Sequence, residues 1–255
     1  MPVDFSIVIP AYNNLSLLQR ALDSAWQQQG VELEVIVTDD STTTDIAQYV
    51  ATLGDRRLRY FHNEPSLGAV KNWNSGLAMA TGQYVVLMHH DEALGGSDYL
   101  LRVKQHLDDG DEVVVSNFEV SINGRYKLCR YNAWVKRFVL RHPSILFLIN
   151  VIGPCACVAF RRSLYSPFCE ELRWLVDVEW YYRLLRGRRF TYDPSILIRS
   201  IYGHKGQITL NIDIMQTFRS DRSVLLRTHR EKSVHIMLWL YKALILNTKK
   251  LLGWI

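Results

Sequence analysis

The chain has 255 residues, 48% apolar and 22% charged, with a formal charge of +5. This is the balance of an ordinary globular protein with one main domain and a sizeable core. Cys129, Cys155, Cys157 and Cys169 lack C-x-x-C spacing, the N-terminus "MPVDFSIVIPAYNN" has no leader-like apolar region, and "IMLWLYKALIL" is too short and too interrupted by Lys242 to span a bilayer. The expectation is a cytoplasmic protein with reduced thiols.

Strand-like and helix-like runs alternate from the start, the pattern of βαβ units around a largely parallel sheet. "FSIVI" predicts a first strand, followed by a helix over 16–29, a strand over 32–38, a helix over 44–53, a strand over 58–62 and a helix over 67–80. "QYVVLM" predicts a strand over 83–88, and a helix over 97–109 precedes strands over 112–120 and 124–128. Periodicity is weak from 130 to 160. A helix over 174–186, two strands near "RFTYD" and "ILIRSIY", and a helical segment from Gln207 onward complete the chain. The expected division is a catalytic domain over 1–206, with halves 1–95 and 96–206, and a helical extension over 207–255.

Open parallel sheets bind ligands beyond the carboxyl ends of their strands. Three polar clusters fall at such ends: "PAYNN", "DDSTTTD" and "HHDE". In the last, Asp91 is the best placed of four consecutive groups to hold a hard cation beside a phosphate, although a turn capping the next helix explains the same residues. Asp39 and Asp40 suit either a helix start or a base and ribose. Gly68, with Lys71, Asn72 and Asn74 near the start of the following helix, suits either capping or a diphosphate. Asp177 and Glu179 sit in the first turn of a later helix, where a carboxylate complements the helix dipole or, facing a cleft, serves as general base. Their i, i+2 spacing allows only one to be that base. His204 follows a strand and is either a surface histidine or a nitrogen ligand suited to Mn²⁺. Neither G-x-x-x-x-G-K-[ST] nor G-x-G-x-x-G is present, which disfavours a P-loop hydrolase or a standard dinucleotide dehydrogenase.

In order, "SIVIPAYNN", "VIVTDDSTTTD", "LGAVKNWNSGLAMATGQYVVLMHHDE", "GPCACVAFRRSLY", "LVDVEWYYRLL" and "IRSIYGHKGQIT" resemble the family-2 glycosyltransferases over roughly residues 3 to 210. The resemblance implies a GT-A fold, an α/β nucleotide-diphospho-sugar transferase architecture with a Rossmann-like sheet flanked by helices. It also implies inverting transfer of a sugar from a nucleotide-diphosphate donor with Mn²⁺ or Mg²⁺. Carried over by position, Pro10, Ala11 and Tyr12 match the first nucleotide-binding loop, and Asp39 and Asp40 match the pair holding base and ribose. Gly68 and Asn74 match the third nucleotide-side motif, Asp91 the last aspartate of the D-x-D signature, and Asp177 the catalytic base. His204 resembles a late histidine near the metal and diphosphate.

The pattern departs at His89, which replaces the first D-x-D aspartate, and at Trp73, which stands where many members have arginine and leaves Lys71 to supply charge. His90 joins the nucleotide-side set. Val176 stands where an acidic residue often precedes the base, which keeps Glu179 in competition with Asp177.

The reading that follows is a glycosyltransferase using a nucleotide sugar, a UDP-sugar first, and a saccharide or lipid-linked saccharide acceptor in O-antigen- or capsule-type synthesis. A nucleotidyltransferase and an inactive nucleotide-sugar-binding protein are the alternatives. In the C-terminal segment Trp239, Leu240, Leu244, Leu246, Leu251, Leu252 and Trp254 mix with Lys242, Lys249 and Lys250. That mixture suits either peripheral contact with the cytoplasmic face of the inner membrane through 207–255 or packing on protein. No nucleic acid is expected as partner, and an oligomer is compatible with the sequence.

Overall fold

A computed structural model describes residues 2–122, 124–128, 131–204, 207 and 212–246. Cys129, Lys249, Lys250, Leu251, Leu252 and Trp254 lie outside the described residues, as does the side chain of Leu246. The chain divides into two compact units that do not follow chain order: 1–130 with 152–167 and 188–206, and 131–151 with 168–187 and 207–255. The C-terminal segment therefore shares a unit with the helix that carries Asp177.

The first unit holds the sheet, with strand order β3-β2-β1-β4-β8-β6-β9-β5 and β7 paired to β6. Its parallel part is β1 (Phe5–Ala11), β2 (Leu33–Asp39), β3 (Leu58–His62) and β4 (Tyr84–Leu87). Every residue of β1, β2 and β4 is buried, which is why these strands read as continuous apolar runs instead of alternating ones. Helices α1 (Leu15–Trp26), α2 (Asp45–Leu53) and α3 (Ala69–Ala78) connect them. Asn14 caps α1 by accepting from the Leu17 amide.

Beyond β4 the sheet becomes mixed. β8 (Val158–Arg161) runs antiparallel to β4 and to β6 (Val113–Ile122), β9 (Phe190–Ile201) is parallel to β6, β7 (Arg125–Leu128) is antiparallel to β6, and β5 (Glu92–Leu94) closes one edge antiparallel to β9. α4 (Tyr99–Asp108) packs on β6, β8 and β9. Parallel pairing thus dominates the first half of the chain and not the second. The two strands expected near "RFTYD" and "ILIRSIY" are one strand, β9. Its register against β6 jumps between Val115 and Asn117, opposite the stretch containing Pro194, whose missing amide cannot join a ladder. β5 and β8, three and four residues long, escape periodicity analysis because neither completes enough repeats of a period-2 pattern.

The second unit is helical: α5 (Ala133–Arg141), α6 (Val176–Leu185), α7 (Ile214–Thr228), α8 (Lys232–Leu240) and a π-helical turn, Tyr241–Leu246. A 3-10 turn, Pro143–Phe147, packs against α5, α6 and α8, with Phe147 fully buried against the rings of Tyr182 and His229. The C-terminal segment is not one continuous helix. The chain breaks at His229–Glu231, where residue 229 leaves helical geometry at φ −109° and ψ 124°. No helix among the described residues is long and apolar enough to cross a membrane.

Candidate active site

The registers Ala11↔Asp39, Asp39↔His62 and Val8↔Leu87 bring the carboxyl ends of β1 to β4 to one edge of the sheet. "PAYNN", "DDSTTTD", "HNEPSLG" and "HHDE" emerge there together. The loops are tied to one another. The Asn13 amide donates to Ser41 Oγ at 2.7 Å, and Asn13 Oδ1 accepts from the Thr42 amide at 2.9 Å. Asn13 adopts φ 47°, a left-handed conformation that asparagine tolerates better than most residues. Tyr12 beside it is 45% exposed.

The two aspartates at the end of β2 accept from protein donors. Asp39 is fully buried; Oδ1 accepts from the Ser41 amide at 2.9 Å and Oδ2 from Tyr60 Oη at 2.7 Å. Asp40 is 4% exposed and accepts four hydrogen bonds, from Asn63 Nδ2, Ser66 Oγ and the amides of Leu67 and Gly68, at 2.7–3.2 Å. Burial disfavours its charge, but these donors outweigh burial and hold its pKa below the ordinary carboxylate value. The two carboxylates expected to meet base and ribose both accept from protein donors and tie together the loops at this edge.

What these bonds fix is the start of α3. Gly68 occupies φ 82° with open space where a Cβ would stand, so backbone conformation, not crowding, demands glycine. Lys71 is exposed in the first turn. Asn72, near the same turn, is buried, donates to the Thr38 carbonyl at 2.9 Å and accepts from Asn63 at 2.8 Å. Asn74 is half-buried, and its carbonyl lies 3.4 Å from Tyr165 Oη.

The loop after β4 gathers the metal-ligating types. Ligand atoms of His89, Asp91 and Glu92 all lie within 4.8 Å of one another, and His204 Nε2 is 3.1 Å from Asp91 Oδ2. Asp91 and His204 are brought together from positions 113 residues apart. Burial opposes the charge of Asp91, yet the His204 hydrogen bond and the fields of His89 and His90 prevail and lower its pKa. The Asp91 carbonyl is itself fixed, accepting from the Ile201 amide at 2.9 Å and from Arg20 Nη1 at 3.2 Å.

His90 lies 3.3 Å from the Pro10 carbonyl, and burial, the largest influence on it, lowers its pKa and favours neutral imidazole. Its neighbour Glu92 is 3% exposed and spans the turn: Oε2 accepts from the His89 amide at 2.9 Å and the Ala156 amide at 3.2 Å, and burial raises its pKa. His89 stacks obliquely on Trp73, with centroids 4.6 Å apart. Sequence reasoning put Asp91 and His204 forward as metal ligands, weighed Glu92 and His89 beside Asp91 as candidates, and did not name the supporting Arg20. Only the last had no local signal, since its partners are backbone carbonyls. His89, Asp91 and Glu92, with His204 beside Asp91, offer nitrogen and oxygen atoms of the types that hold divalent cations.

In the second unit, Asp177 is half-buried in the first turn of α6. Its Oδ2 accepts from Asn150 Nδ2 at 3.1 Å and its Oδ1 from the Val178 amide at 2.8 Å. The turn before it is held by Asp221 of α7, fully buried, which accepts from the amides of Arg173, Trp174 and Leu175 at 2.7–3.3 Å. Glu179 is 4% exposed and committed to Arg183 at 2.6 and 3.0 Å and to His229 at 3.1 Å. Burial opposes its charge, but His229 and Arg183 lower its pKa. It ties α6 to the break between α7 and α8, and of the two carboxylates Asp177 is the less buried.

The family model described as "Glycosyl transferase family 2" matches residues 6–167. The chain belongs to that family. Among curated relatives, it is 32% identical over 123 residues to the GalNAc(5)-diNAcBac-PP-undecaprenol β-1,3-glucosyltransferase of Campylobacter jejuni, covering 47% of this chain and 39% of that protein. Among solved structures it superposes on S. aureus TarS with UDP-GlcNAc at TM-score 0.68, with 18% identity over 93% of this chain and 71% of that one. It also superposes on the mannosyltransferase PcManGT of Pyrobaculum calidifontis, in complex with GDP-Man and Mn²⁺, at TM-score 0.65, with 20% identity over 93% and 68%. The family-2 chain therefore has the GT-A fold. It spans 33% to 65% of the length of the first curated relatives it matches.

Proposed function

We propose that this family-2 chain is an inverting glycosyltransferase that moves a sugar from a nucleotide-diphosphate donor, a UDP-sugar first, to a hydroxyl of a saccharide acceptor. The observation that carries the reading is the meeting of Asp91 and His204 at the edge where the ends of β1 to β4 converge. This edge is where α/β sheets take nucleotides, and the donor set suits a cation that grips a diphosphate. Tyr12 stacks on the base. The Gly68 turn and Lys71, at the N-terminus of α3, meet the diphosphate with amides and positive charge. Asp39 and Asp40 act through the loops they clamp.

Asp91 and His204, with His89 and Glu92 adjoining, would hold Mn²⁺, which when bound supplies Lewis-acid neutralisation of charge on the departing diphosphate. Asp177 is the base. Its carboxylate takes the proton from the acceptor hydroxyl as that oxygen forms the bond to the anomeric carbon, while the bond from that carbon to the β-phosphate oxygen breaks on the opposite face. Attack from that side inverts configuration.

The resemblance to an undecaprenol-linked glucosyltransferase supports a lipid-linked saccharide as acceptor, in bacterial surface-polysaccharide synthesis of O-antigen or capsule type, with the 207–255 segment touching the membrane. The test is transfer by Asp177→Asn. Donor binding, read as thermal stabilisation by nucleotide sugar and Mn²⁺, is expected to stay near wild type while transfer falls by about 10² or more, the usual scale for losing a general base. Wild-type transfer by this variant would remove Asp177 from the role.

A further inference from the structure

Helix α5 has one face in the second unit's core and one in water. Lys136, Val139 and Leu140 are buried. On the other face Trp134 is 72% exposed, Phe138 45% and Val135 41%. Trp134 and Phe138, four residues apart, share a stripe and stack with centroids 5.8 Å apart and 17° between planes. His142 extends that stripe, 4.8 Å from the Phe138 ring. Arg137 and Arg141, also four apart and exposed, flank it. Helix α8 and the π-helical turn after it repeat the chemistry: Ile236, Trp239 and Leu244 are 53%, 59% and 56% exposed, and Lys232 and Lys242 are exposed as well. α5 and α8 both pack on the 3-10 turn Pro143–Phe147.

We propose that α5 is a membrane-docking helix whose Trp134 and Phe138 enter the headgroup region of an anionic lipid surface while Arg137 and Arg141 meet lipid phosphates. At nine residues it is far too short to span, but an aromatic stripe bordered by arginines is the composition of a helix lying in the interface. Charge complementarity selects this occupant over a second copy of the chain. An isologous contact with its two-fold axis at the α5 stripe would set arginine borders close to one another, whereas a phospholipid surface supplies the opposite charge. The inference deepens the membrane contact proposed above for 207–255, adding an attachment point about a hundred residues earlier in the chain. Stable anchoring ordinarily requires two such signals.

The test is co-sedimentation of the full chain with vesicles of equal parts phosphatidylglycerol and phosphatidylcholine, and with phosphatidylcholine alone. Wild type is expected to partition onto the anionic vesicles, less so at high salt. W134S/F138S, with an unchanged circular dichroism spectrum, is expected to lower the partition coefficient about tenfold or more from the apolar area it withdraws. R141Q is expected to weaken anionic binding only. W239S, made separately, reports on the C-terminal contact. The proposal is overturned if folded W134S/F138S binds as wild type, if wild type binds neither vesicle, if R141Q leaves anionic binding unchanged, or if Trp134 instead governs a concentration-dependent dimer. Loss in W239S with full binding by W134S/F138S would leave the C-terminal contact standing and remove α5 from it. Nucleotide release from donor sugar is unaffected in every one of these outcomes, so failure here is separable from failure of the catalytic reading.

Discussion

Trp73 and His89, two of the positions where the chain departs from the pattern it otherwise resembles, lie in contact. Arginine and aspartate there would form an ion pair; tryptophan and histidine form a ring contact, so the two changes read as one exchange. H89D alone would place a third carboxylate beside Asp91 and Glu92, against an indole that cannot neutralise it. It is expected to cost about 1–3 kcal/mol of stability. W73R/H89D is expected to recover part of that loss, with a coupling of about 1 kcal/mol in a double-mutant cycle by urea denaturation; strictly additive losses would show that the contact carries no coupling.

Asp40 supplies a pH prediction. Its pKa is lowered in the fold, so the folded state binds its proton less readily than the unfolded chain does. The stability it contributes is complete above the unfolded value of about 3.9 and is lost as pH falls through the lower folded value. D40N, which cannot ionise, is expected to be less stable than wild type at neutral pH and to converge with it in acid. A constant gap between the two acid-unfolding curves would contradict this.

Among the elements, α6 depends on a group outside itself. Asp221 satisfies the amides of Arg173, Trp174 and Leu175, so D221A would leave those donors, the last of them buried, without their acceptor. A loss of about 3 kcal/mol or more is expected from chemical denaturation, together with a fall in transfer, because Asp177 sits one turn further on. Gly153 is similarly constrained: at φ 95° a Cβ would stand 2.3 Å from the Phe118 ring, and G153A is expected to be strongly destabilised in a melting experiment.

The elements also mark what the sequence could disclose. β1, β2 and β3 and their helices were readable to within a few residues, because each is long and fully patterned and ends on a turn or cap residue. β5, β8 and α5 were not. The first two are too short to show a period. The third hides its core face behind a buried Lys136 while presenting Trp134 to solvent, inverting the expected apolar-in pattern. At the site, chemistry-bearing residues were legible and their orientations were not. Asp39 and Asp40 carry the expected residue type at the expected strand end, but whether they face ligand or protein depends on Tyr60, Ser66 and the Leu67 and Gly68 amides, which no spacing rule foretells.

At the scale of the whole molecule, a division that interleaves chain segments gives each unit a chemistry of its own. The first unit collects strand ends, the Asp91 and His204 pair and the glycine turn. The second collects Asp177, its bracing aspartate and the exposed aromatic helices. The account stands on Asp91 as the proposed anchor of the cation. The most direct measurement is nucleotide release from a panel of UDP- and GDP-sugars by wild type and D91N, with Mn²⁺ titrated in and thermal stability followed alongside. The account predicts Mn²⁺-dependent release and Mn²⁺-dependent stabilisation in the wild type, and loss of both in a folded D91N. Release by D91N at the wild-type rate with the same Mn²⁺ dependence would contradict it.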